Sequence, residues 1–80
     1  MAPIIVTKQD PQNIKPLSRR ETQVIALLAE GFSKQKISRR LSIEVSTVAT
    51  HVKSIYRKME VDNAAGAISK AYRCGVLFLV

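Results

Sequence analysis

The chain has 80 residues, with 13 Lys and Arg against 6 Asp and Glu for a formal charge of +7, and one cysteine and one histidine. That length makes one small domain, and the cysteine and histidine counts exclude an internal disulfide and fall short of a structural metal site. The charge favours partners dense in negative charge, nucleic acid ahead of an anionic membrane surface. No apolar run approaches the roughly 20 residues of a membrane span, so the expected setting is the cytoplasm, with no membrane partner.

Residues 1–16, "MAPIIVTKQDPQNIKP", hold all three prolines and show no helical period. They read as a leader or linker, partly extended at "IIV", ahead of a domain over 17–80. The apolar stretch "APIIV" is too short for the apolar region of a signal peptide. In "LSRRETQVIALLAEG", Ser18 and Glu21 have the S-x-x-E spacing of a capping box. Val24, Ile25, Leu27 and Leu28 follow, and Gly31 supplies a left-handed stop, predicting a first helix over about 19–30. Ser33 can cap a second helix over 34–41, with Ile37, Leu41 and the small Ser38 inward. "SIEV" interrupts before a third helix over 45–59. Two short helices joined so briefly cross steeply, the arrangement of a helix-turn-helix. Asp62 or Asn63 can cap a fourth helix over about 64–74, with Ala67, Ile68, Ala71 and Tyr72 as its apolar side. The closing "VLFLV" is expected to pack on that helix or on a second copy of the chain. The fold class expected is all-α, a small four-helix domain.

The third helix carries the functional question. At about 100° per residue, Val48, Val52, Ile55 and Met59 form one stripe, while Thr47, Thr50, Lys53, Ser54 and Arg57 gather opposite it. Catalysis finds no support: no nucleophile, base and orienting group come together, and His51 reads as a helix-surface residue touching a phosphate or a neighbouring helix. Between Ser33 and Lys58 there are seven cations (Lys34, Lys36, Arg39, Arg40, Lys53, Arg57 and Lys58) against one acid, Glu44. A merely solvated face usually mixes signs. Duplex DNA asks for a helix N-terminus aimed at phosphate, which Ser33, Lys34 and Lys36 suit. It also asks for a helix whose short side chains and donors enter the major groove. Thr47, Ala49, Thr50, Lys53 and Arg57 suit that role, Lys53 as a donor to guanine and Thr50 as a partner for a base edge or a thymine methyl.

Residues 17–61, "LSRRETQVIALLAEGFSKQKISRRLSIEVSTVATHVKSIYRKMEV", resemble the LuxR-type helix-turn-helix domain, also the output domain of NarL/FixJ response regulators. Leu17, Arg20, Glu21, Val24, Leu28, Gly31, Ser33, Ile37, Leu41, Ile43, Thr47, Val48, His51, Ile55, Lys58 and Val61 fall on its pattern. With the fourth helix the likeness covers about 17–77. It implies a bacterial transcription regulator's DNA-binding module, four helices of the winged-helix-like superfamily without the wing. It implies no enzymatic activity, no cofactor, no metal and no small-molecule ligand in this domain. It further implies base contacts from Ala49, Thr50 and Lys53, with Arg57 facing the groove. Backbone contacts would come from Ser33, Lys34, Lys36, Ser46, Thr47 and His51. Two copies would pair through the fourth helix, where Ala67, Ile68, Ala71 and Tyr72 would complete the monomer's core, form the pairing surface, or serve both uses, and RNA polymerase would be a further partner.

Three departures stand out. Ala49 replaces a long polar residue, Lys34-Gln35-Lys36 replaces Asn-Lys-Glu and strengthens non-specific attraction to phosphate, and Ala64-Ala65-Gly66 replaces a polar triplet. Glycine within a helix costs about 0.5–1 kcal/mol relative to alanine, so the fourth helix is expected to begin later or to pack closely at Gly66. Two other readings stay open: region four of a bacterial sigma factor, against which the fourth helix argues, and a protein-interaction module that keeps the fold and binds another regulator or an acidic partner.

Overall fold

The computed structural model describes residues 15–78. Four helices follow one another: α1 (Arg19–Ala29), α2 (Lys34–Leu41), α3 (Val45–Met59) and α4 (Ala64–Arg73), with no strand among the described residues. The leader expected over 1–16, apart from its last two residues, and the final two residues of the chain lie outside the described part.

Each boundary has a local cause. Ser18 Oγ accepts from the Glu21 backbone N–H at 3.1 Å while Ser18 N–H donates to Glu21 Oε1 at 2.8 Å, completing the capping box of α1. Gly31, at φ +93°, turns the chain out of α1, and Phe32 N–H closes back on the Leu27 carbonyl. Ser33 caps α2 by accepting from Lys36 N–H at 3.2 Å, and Asn63 caps α4 by accepting from Gly66 N–H at 2.7 Å. The ends of α2 and α3 were not signalled by glycine. Ser42 and Glu60 take the left-handed conformation there, at φ 58° and 59°. The backbone N–H groups of Ile43 and Val61 then return to Ser38 and Tyr56 at 3.0 Å each. Both following residues are half-buried apolar side chains packed on the core, and that burial offsets the strain of the turn.

The core is built around α3. Val48, Val52, Ile55 and Met59 are buried with Val24 and Ile25 of α1, Ile37 of α2, and Ala67 and Ala71 of α4. α3 packs against all three other helices, most closely against α1 and α2. α3 is therefore the hydrophobic axis of the domain, and its outer face is oriented by everything beneath it.

Two expectations change. α4 does not begin late: Gly66 is its third residue, and a Cβ there would meet Asn63 Oδ1 at 3.4 Å and the Val61 side chain at 3.5 and 3.6 Å, ordinary contact rather than close packing. Tyr72, expected on the apolar side of α4, is 37 % exposed. Of the closing apolar run, Val76 and Leu77 pack against the core and Phe78 stays exposed.

Candidate nucleic-acid interface

On α3, Ser46, Thr50, Lys53 and Arg57 recur every three or four residues and are all exposed, on the side opposite the buried Val48, Val52, Ile55 and Met59. Thr47 is exposed on one flank of that row. Ala49, half-buried, lies on the other flank with Val45, 40 % exposed, one turn before it. His51 is half-buried toward the side of Thr47. Thr50 Oγ1 donates to the Ser46 carbonyl at 3.1 Å. Val45 is a surface residue that sequence reasoning missed; its position at the first turn of α3 was legible, but an apolar residue there reads as core.

α2 contributes a second basic surface. Ser33, Lys34, Gln35 and Lys36 are exposed at its N-terminus, where backbone N–H groups and the helix dipole favour an anion. Lys36, Arg39 and Arg40 line an open depression with Phe32, and the Arg40 guanidinium lies 4.8 Å above the Phe32 ring, a cation–π contact. Among the described residues, none of Lys34, Lys36, Arg39, Arg40, Lys53 and Arg57 has a carboxylate within ion-pair distance. The positive field of this side is thus not neutralised from within.

Two residues counted on that polar side belong elsewhere. Ser54 and Lys58 lie on the flank of α3 that meets α1, and both converge on Glu21. Ser54 Oγ donates to Oε2 at 2.6 Å and Lys58 Nζ donates to Oε1 at 2.8 Å. Glu21 is only 5 % exposed. Burial by itself raises its pKa. The hydrogen bonds from Lys58, Ser54 and the Ser18 backbone, with the Lys58 charge, outweigh that and hold it near 2 against an ordinary 4.5. Lys58 is thus an internal ion-pair partner and leaves the set of free cations. At the same C-terminal end of α3, Lys70 of α4 donates to the Met59 carbonyl at 2.8 Å, satisfying one of the helix's terminal acceptors. Nothing local in the sequence marks this bond.

The expected pairing residues also divide. Ala67 and Ala71 are fully enclosed in the monomer's core and offer no surface to a second copy. Ile68 is half-buried and Tyr72 exposed, so only these two remain on the outside of α4. Among the described residues no group of three metal-ligating side chains is assembled, and no helix is long and apolar enough to cross a membrane.

Comparison with known proteins agrees with this geometry. The family model "GerE: Bacterial regulatory proteins, luxR family" matches residues 15–71. The "Putative HTH-type transcriptional regulator YhjB" of Escherichia coli (strain K12) is 38 % identical over 60 residues, which is 75 % of this chain and 30 % of YhjB. The HTH-type transcriptional regulator MalT of Vibrio campbellii is 38 % identical over 56 residues, 70 % of this chain and 6 % of MalT. Among solved structures, the response regulator ChrA of a heme-sensing two-component system superposes with a TM-score of 0.76 at 35 % identity, over 79 % of this chain and 31 % of ChrA. The chain thus spans less than a third of the length of each of these relatives. With a buried α3 stripe beneath an exposed polar row, and a family match over most of its length, the chain belongs to the LuxR family of bacterial regulatory proteins, as a helix-turn-helix DNA-binding domain of a transcription regulator.

Proposed function

We propose that this domain binds duplex DNA sequence-selectively, with α3 in the major groove and the N-terminus of α2 on the phosphate backbone. The observation that carries this reading is the uncompensated polar row Ser46, Thr50, Lys53 and Arg57 on the one helix whose opposite face forms the centre of the core. A helix so buttressed presents short side chains and two cations at the depth a groove requires. Ala49, Thr50, Lys53 and Arg57 face the bases. Ser33, Lys34, Lys36, Ser46, Thr47 and His51 meet phosphate, which fixes orientation while the base contacts select sequence. With about 4–6 phosphates neutralised per copy, log affinity falls by about 0.9 per phosphate for each tenfold rise in salt. Pairing of two copies through α4 falls to Ile68 and Tyr72, and the likeness to ChrA supports a role as the output domain of a response regulator.

Selection of bound duplexes from a random pool, followed by binding to the recovered site and to random DNA over a range of salt, tests this. A recovered motif, two-fold repeated if two copies bind together, is the expected result. A folded domain that binds neither duplex at low salt would instead leave the protein-interaction module as the better reading.

A further inference from the structure

We infer that the first two turns of α3 read thymine by its 5-methyl group, through Thr50 and Ala49 with Val45 at the rim, and that hydrogen-bonded base reading begins only at Lys53. This rests on α3 lying in the major groove. It goes further by naming the chemical feature of the base that the N-terminal half of the helix recognises.

The argument starts from the Thr50 hydroxyl. A hydroxyl has one proton to donate and two lone pairs. In Thr50 that proton lies on the Ser46 carbonyl, at 3.1 Å. Thus engaged, Thr50 has no donor left for adenine N7, guanine O6 and N7, or thymine O4, the acceptors of the major-groove edge. What an exposed Thr50 still offers is an acceptor and a γ-methyl group. Ala49, one residue earlier, has a methyl group and nothing polar. Val45, 40 % exposed and one turn before Ala49 on the same flank, adds two more methyl groups. Apart from the acceptor lone pairs of Thr50, these three side chains therefore present only carbon, and the first cation on the exposed row is Lys53. Thymine is the one base that brings a methyl group to this groove, and side-chain methyls pack against it.

Back-bonding of Thr to the carbonyl four residues earlier is also an ordinary habit of helices, so the test must separate methyl reading from a solvated threonine. The probe is the duplex recovered by random-pool selection. Each thymine in it is replaced in turn by uracil, which removes only the 5-methyl group, and affinity is measured for the wild type, Thr50→Val and Thr50→Ser. At one or two positions per half-site, uracil is expected to weaken wild-type binding by about 3–5-fold, the scale of one buried methyl. Thr50→Val keeps the methyl and should bind within about twofold of wild type with that penalty intact. Thr50→Ser keeps the hydroxyl and should no longer distinguish thymine from uracil at one of those positions. Circular dichroism confirms that each variant is folded.

Equal affinity for the thymine and uracil forms at every position would overturn the inference, with α3's place in the groove untouched. So would a Thr50→Val variant that loses tenfold while Thr50→Ser behaves as wild type, because the hydroxyl would then be the reader. Recovery of no preferred site at all would overturn the groove reading itself.

Discussion

Glu21 and Lys58, 37 residues apart in the chain, meet at 2.8 Å between carboxylate and ammonium, and this ion pair ties α1 to α3. Ser54 joins it from one turn earlier on α3, and the Ser18 backbone joins it from the α1 cap. One carboxylate thus completes a local capping box and a tertiary clamp together.

The clamp has an acid signature. Glu21 has a folded-state pKa of about 2, below its ordinary 4.5. Its contribution to stability is therefore complete above about pH 5.5 and is lost as the pH falls from about 4.5 toward 2. The difference corresponds to about 2–3 kcal/mol, allowing for the partial exposure of Lys58. Urea denaturation across that range should show the loss in the wild type and a flatter profile in Glu21→Gln. A Glu21→Gln variant with the wild-type acid slope would show that the carboxylate is not what the clamp depends on.

Three lysines should separate by role. Lys53→Ala is expected to cost about 1–3 kcal/mol at the preferred site and much less on random DNA. Lys34→Ala should weaken all duplexes alike and reduce the salt slope by about 0.9. Lys58→Met should lower the melting temperature through the lost Glu21 contact yet leave the salt slope unchanged, since its charge is used inside the domain. Fluorescence anisotropy at several salt concentrations, below the melting range of every variant, checks all three. Identical losses on preferred and random DNA for Lys53→Ala and Lys34→Ala would reject the division of labour.

The N-terminus of α3 is undercapped. Glu44 holds the N-cap position in an extended conformation but makes no side-chain hydrogen bond to the first turn. Glu44→Asp shortens the carboxylate to the length that reaches those N–H groups while keeping the charge favoured by the helix dipole. A gain of about 0.5–1 kcal/mol in unfolding free energy is expected. A loss of stability in Glu44→Asp would mean that the longer side chain has a packing role at the turn.

α4 offers a second gain. A methyl group at Gly66 meets only ordinary contacts, and Gly66 has no positive φ. Gly66→Ala should raise stability by about 0.5–1 kcal/mol through lower backbone entropy in the unfolded chain. If the variant melts lower instead, the contact with Asn63 Oδ1 has disturbed the helix cap.

Much of the fold was legible from local pattern. The helix at 45–59, the caps at Ser18 and Ser33, a cap of the fourth helix at Asp62 or Asn63, and the stop at Gly31 each follow from a few neighbouring residues, because capping and amphipathic spacing act within one or two turns. The exposure of Thr47, Thr50, Lys53 and Arg57 was legible for the same reason: four apolar residues on one stripe determine which way the rest must face.

The flanks of that stripe were decided elsewhere. Ser54 and Lys58 are polar and read as solvent-facing, and only the passage of α1 beside them supplies the carboxylate that draws them in. Ala67 and Ala71 read as part of an apolar stripe that could serve the core or a second copy, and the approach of the other helices decides for the core. By itself, then, the sequence determined where helices begin and end and which stripe of each is apolar. Tertiary structure alone decided what borders each stripe, because those partners lie tens of residues away and meet only when the helices pack.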